Sequence, residues 1–171
     1  MNQTFAYGVR GKADEGAADQ ASLRQELLRL VEHSVWANLR WVEAVYSQSN
    51  PEERPRELLG HLMVGERAWF ERIEGAQKTS TMFPLLSNDE LVRGFTANAD
   101  TFRQLIGSHL EDVVHFRRAS GEEYHARVAD IIHHLLTHGY HHRGQLAAHF
   151  ARSGMAYPNT DHINFLIQNK L

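Results

Sequence analysis

Four stretches of this chain place apolar side chains three and four residues apart, a spacing that an α-helix gathers onto one face. Leu23, Leu27, Leu30, Val31, Val35, Leu39, Val42 and Val45 mark the first, which opens on a capping-box pattern at Ser22-Leu23-Arg24-Gln25 and runs to about Ser47. Asn50-Pro51 and Pro55 break the chain, after which Leu58, Leu62, Trp69 and Ile73 predict a second helix ending near Gly75. Pro84 and the capping box Ser87-Asn88-Asp89-Glu90 open a third of about twenty residues, with Leu91, Val92, Phe95, Phe102, Leu105 and Ile106 on its apolar side. Val128, Ile131, Ile132, Leu135, His142, Leu146 and Phe150 define a fourth that stops at Gly154 and Pro158. Between the last two, Val113-Val114-His115-Phe116 and Ser120-Gly121 predict an extended crossover with a turn across 111–127. A short terminal helix holds Ile163, Phe165, Leu166 and Ile167.

The expected fold is therefore all-α: a four-helix bundle with short connections after helices 1 and 2 and a long crossover before helix 4. Residues 1–20 carry Gly8, Gly11 and Gly16 without a periodic apolar face, so they read as an extended or mobile leader ahead of a domain over 21–171. A chain of 171 residues builds a core of this size without staples. It has no cysteine, which excludes disulfides, thiolate metal ligands and a thiol nucleophile of its own. A net charge of -3, with no basic cluster, argues against nucleic acid as a partner. No apolar run reaches the roughly 20 residues of a membrane span and no signal-peptide profile opens the chain, so the expected compartment is the cytoplasm.

Histidine is the outlier, with 12 copies, and His133, His134, His138, His141, His142 and His149 crowd into one helix. At 100° per residue His138 and His142 are about 40° apart, one turn apart, and centred on the arc of Ile131, Leu135 and Leu146. Such a pair presents two imidazoles to one ion without strain. His61 shares the inward side of helix 2 with Leu58, Leu62 and Trp69, so helix packing can bring it opposite as a third ligand, leaving an open position. His134 with His138, and His141 with Gln145, also have helical spacing and stand as alternatives. His33, His109, His115, His125 and His162 read as solvated or capping groups. The metalloprotease pattern His-Glu-x-x-His is absent, because Gly139 follows His138.

Trp36-Ala37-Asn38, His61 followed by Glu66 and Trp69, and above all His138-Gly139-Tyr140-His141-His142-Arg143-Gly144-Gln145 resemble the DinB/YfiT-like family over about Leu23 to Leu171. The resemblance implies a four-helix bundle of up-down-down-up course, a homodimer, and a nickel or zinc ion held by His61, His138 and His142. It is unrelated to the lesion-bypass DNA polymerase. Some relatives of this pattern are metal-dependent transferases or isomerases that use low-molecular-weight thiols, and others are described as metal-dependent hydrolases. The implied activity is thus a metal-dependent thiol S-transferase or hydrolase acting on a small molecule; the alternative is a non-catalytic, stress-related metal-binding dimer. Arg143 and Gln145 are expected to orient neighbours or face solvent, Gly144 to permit close helix approach, and Glu57 and Asp130 to receive imidazole N–H groups or stay solvated. Trp36, Trp41 and Trp69 are expected in the core or an interface.

Overall fold

The computed structural model describes residues 17–76, 81–117 and 121–170. The chain is mainly helical, with α1 (Ala17–Tyr46), α2 (Glu53–Ile73), α3 (Asn88–Ser108), α4 (Val128–Arg152) and α5 (His162–Asn169). A two-stranded antiparallel sheet, β1 (Val113–Arg117) and β2 (Glu123–Arg127), stands between α3 and α4. Helix α1 begins ahead of the expected cap at Ser22, because nothing between Ala17 and Ser22 breaks a helix. The remainder of the expected leader, residues 1–16, lies outside the described residues.

The ends of the helices follow local chemistry. The Ser87 box is formed: Ser87 Oγ accepts from Glu90 N–H at 3.3 Å and Glu90 Oε2 accepts from Ser87 N–H at 2.8 Å. Pro55, expected to lie in the break, sits in the first turn of α2, where a missing N–H costs nothing. Helices α2 and α4 stop at glycines in the left-handed region, Gly75 (φ 80) and Gly154 (φ 66). In each case the next N–H reaches back, Ala76 to the Glu71 carbonyl at 2.7 Å and Met155 to the Phe150 carbonyl at 2.9 Å, which is the Schellman pattern.

The extended crossover is a hairpin rather than a span across the molecule. It returns at once to its starting end, where Ala129 N–H donates to the Leu110 carbonyl at 3.0 Å and Val128 N–H to Asp112 at 2.9 Å. The long connection instead precedes α3. Along α2 and α3 the contacts climb in step: a Cβ on Gly94 would meet Met63, Asn98 bonds the Met63 carbonyl at 3.0 Å, and Phe102 meets Phe70 edge to face at 4.8 Å. These two helices therefore run in the same direction, and Met82 and Pro84 already lie beside His61 and Gly60 near the start of α2 before α3 begins.

The packed interior falls into two apolar clusters. One gathers Leu27, Val31, Phe102, Ile106, Val128, Ile132 and Leu135 around the hairpin end, and the other gathers Trp41, Val45, Leu58, Leu62, Leu91, Phe95, Leu146 and Phe150. Buried polar residues fall between the two on each long helix: His33, Ser34 and Asn38 on α1, Glu66 on α2, Asn98 on α3, and His142 and Arg143 on α4, while His61 lies among the residues of the second cluster. A polar layer through the middle of an otherwise apolar interior costs desolvation, so its persistence points to a structural or chemical task. No helix among the described residues is long and apolar enough to cross a membrane.

Candidate metal centre

The i, i+4 spacing on α4 stacks His138 and His142 with ring centroids 4.4 Å apart and their Nε2 atoms 3.0 Å apart. His61 arrives from α2, its ring centroid 5.1 Å from His138 and 4.7 Å from His142. Among the described residues these three form the group of His, Asp or Glu side chains close enough to share an ion, with one ligand atom from each within 4.8 Å of the others. An ion about 2.1 Å from an imidazole nitrogen lies roughly 3.2 Å from the ring centre, so rings sharing it at near-tetrahedral angles have centroids about 5 Å apart. The three observed separations match that requirement.

Two of the three rings are oriented by bonds on the far nitrogen. His61 Nδ1–H donates to the Met82 carbonyl at 2.8 Å, and His142 Nδ1–H donates to Gln145 Oε1 at 2.9 Å. Each bond fixes the tautomer that keeps a lone pair on Nε2; at His142 that atom accepts from His138 Nε2–H at 3.0 Å, the proton that a bound ion would replace. Gln145 is held in turn by His141, whose Nε2 lies 3.0 Å from the Gln145 amide. The Met82 carbonyl is delivered by the close run of residues 81–87 over α2. Gly60 makes this approach feasible, since a Cβ there would overlap the Pro84 carbonyl. Phe83 then lies flat on the His61 ring, 4.3 Å between centroids and 13° between planes, and Arg54 stands 5.4 Å above Phe83.

Electrostatics keep the rings available. Burial, followed by the nearby His142 and His61 rings, pushes His138 down to about 4. Burial also lowers His142, against the opposing effect of the hydrogen bond that it donates to Gln145. Neutral imidazoles are the form that coordinates a cation.

Behind the histidines the polar layer fixes α4. Arg143, 4% exposed, donates to Asn38 Oδ1 at 2.8 Å and Ser34 Oγ at 3.3 Å and stacks 4.8 Å over Tyr140. Gly139 clears its path, because a Cβ there would lie 2.9 Å from Arg143 Nη1. Burial holds the guanidinium down to about 10, and its Nη2 has no partner among the described residues. Glu66 accepts from Asn98 Nδ2 at 2.8 Å, and burial pushes its carboxyl up to about 7. The Trp36-Ala37-Asn38 element and the Arg143 of the helix 4 motif thus meet through one hydrogen bond.

Other expectations resolve differently. His134 and His141 are exposed neighbours of the group, with rings 5.8 Å from His138 and 4.9 Å from His142. Glu57 pairs with Arg54 at 3.1 Å and Asp130 with Arg127 at 3.0 Å, so neither receives an imidazole proton. Gly144 is exposed with open space around it; close approach falls to Gly60 and Gly139. His33, expected to be solvated or capping, is fully buried, donating from Nε2 to the Thr160 carbonyl at 2.8 Å and accepting at Nδ1 from the Tyr140 hydroxyl at 3.0 Å. Trp41 is in the core against Phe150. The Met82 carbonyl and the Phe83 ring gave no signal in the sequence, because a backbone acceptor in a connection has no residue signature.

Three imidazoles, two of them with fixed tautomers, and no carboxylate among them make a donor set suited to zinc, nickel or copper rather than magnesium or calcium. No curated protein sequence matches the chain. The family model of the DinB family matches residues 24–170, nearly the whole length: the chain belongs to the DinB family.

Proposed function

We propose that the protein is a metal-dependent enzyme in which His61, His138 and His142 hold one divalent ion, nickel or zinc, and leave a coordination position open to a small molecule. The carrying observation is the convergence of three imidazoles whose far nitrogens are committed, at His61 and His142, to Met82 and Gln145. When bound, an ion with an open position lowers the pKa of a coordinated thiol or water toward neutrality and polarises a carbonyl. The chain has no cysteine, so a thiol nucleophile would come from a low-molecular-weight cofactor, and S-transfer is the first reading ahead of hydrolysis.

The residues around the ion divide the remaining work. Met82 and Gln145 hold His61 and His142 in their coordinating tautomers, and Phe83 covers one face of His61. Arg54 places a positive charge beside Phe83, suited to an anionic group on an incoming thiol or substrate. In the polar layer the Arg143–Asn38 bond holds α4 in register against α1, and the Asn98–Glu66 bond ties α3 to the helix that carries His61. The up-down-down-up bundle is part of this reading and agrees with the shared direction of α2 and α3. So is a homodimer in the cytoplasm, supported by the exposed Ile163 and Ile167 one turn apart on α5.

The test is to load the protein with zinc or nickel, titrate it with thiols, and compare thiol transfer to an electrophile by wild type and His142→Ala. Saturable thiol binding with transfer lost in the variant supports the enzyme. Equal transfer by both proteins, or an ion with no exchangeable ligand, would favour a non-catalytic metal-binding protein.

A further inference from the structure

The β1–β2 hairpin carries a second pair of histidines that the centre does not use. In the antiparallel register His115 stands directly opposite His125. Val128 N–H donates to the Asp112 carbonyl at 2.9 Å, so the hydrogen-bonded pairs of this ladder are 112/128, 114/126 and 116/124. His115 and His125 therefore occupy a non-hydrogen-bonded pair, the type in which facing side chains come closest, with Cα atoms about 4.5 Å apart. Both are exposed, and their rings already lie 5.8 Å apart and 36° from parallel. Two imidazoles bound side by side to one ion have centroids about 5 Å apart, so small side-chain rotations on an open surface suffice.

The surroundings do not oppose a cation. On the same face the flanking arginines are matched: Arg117 pairs with Glu123, and Arg127 pairs with Asp130 at 3.0 Å and Glu111 at 3.6 Å. The other face of the hairpin is tied to the molecule by Phe116, whose ring meets Trp69 edge to face at 5.2 Å, so the strands are held while the histidines face outward.

We propose that His115 and His125 form a second, two-ligand surface site for a borderline divalent ion such as Cu2+, Ni2+ or Zn2+, completed by water and weaker than the three-histidine centre. An ion bound there would clip the two strands in register, which matters for a two-stranded sheet that is marginal on its own. The site stands independently of the proposed enzyme activity, since it shares no ligand with the centre.

The experiment titrates the full chain carrying His138→Ala with Cu2+, reading binding by calorimetry and by paramagnetic broadening of histidine ring resonances in NMR. The expected result is broadening of His115 and His125 together, and loss of that binding step when either His115→Ala or His125→Asn is added, with helical circular dichroism unchanged. In the chain with all its histidines the same two variants should remove one equivalent of bound ion and leave the tighter equivalent in place. Binding unaltered by both variants, or broadening confined to other histidines such as His109, would overturn the proposal.

Discussion

Replacing Gly60 by alanine should weaken metal binding far more than it weakens the fold. A methyl group at this position would overlap the Pro84 carbonyl, so residues 81–84 must retreat by roughly an ångström to restore ordinary contact. That retreat lengthens the 2.8 Å bond from His61 Nδ1–H to the Met82 carbonyl and lifts Phe83 from the His61 ring. Overpacking costs about 1–3 kcal/mol, but alanine in place of a mid-helix glycine returns about 1 kcal/mol, so the net loss of stability is about 0–2 kcal/mol. Loss of the group that orients a ligand histidine lowers metal affinity by about 10- to 100-fold. Thermal denaturation of the metal-free protein and competitive chelator titration of the loaded protein read the two effects separately. Unchanged affinity in a variant that has lost stability would refute the reasoning, because it would show that the Met82 carbonyl does not position His61.

Gln145→Leu removes the acceptor for His142 Nδ1–H and should likewise cost about 10- to 100-fold in metal affinity, whereas Gln145→Glu, which keeps an acceptor, should retain most of it; chelator competition distinguishes them. Glu66, held up at about 7 by burial, binds a proton in the folded chain that the unfolded chain has released above about 4.5, so its contribution to stability is lost as pH rises through 7. Glu66→Gln should therefore raise the melting temperature at pH 8 and change it little at pH 4.5. His138 works in the opposite direction: with its folded value near 4, the unfolded chain takes up a proton below 6.5 that the folded chain refuses, so metal-free stability falls from pH 6.5 toward 4. Melting temperatures across that window should be flatter for His138→Asn. Chelation should leave the far-ultraviolet circular dichroism unchanged, because two large apolar clusters carry the fold without the ion, and collapse of the signal would contradict this.

The long helices were legible in the chain because each buries one apolar stripe and closes with local chemistry: the Ser87 box and the glycines at 75 and 154 announce themselves. The approach of His61, His138 and His142 was legible in part for the same reason, since helical phase puts each on an inward face, while the choice of this triad over His134 and His141 came from the family resemblance. What was missed depends on the path between elements. Two helices running in one direction need a long return, and nothing in residues 74–87 marks it as one; the extended residues at 113–116 drew the expected crossover to the wrong connection. The polar layer was hidden for a related reason. Arg143 and Glu66 look like solvent-facing charges, and only the arrival of Asn38 and Asn98 from other helices shows that they are buried and bonded. His33 reads as an ordinary polar residue until Tyr140 and Thr160 are brought to it.

The most direct test of the account is anomalous diffraction from crystals of zinc- or nickel-loaded protein, measured at the absorption edge of the ion. One peak about 2.0–2.2 Å from the Nε2 atoms of His61, His138 and His142, with a non-protein ligand completing the sphere, is the predicted result. A peak shared by His134 and His138 without His61, or a sphere closed by a fourth protein side chain, would contradict it.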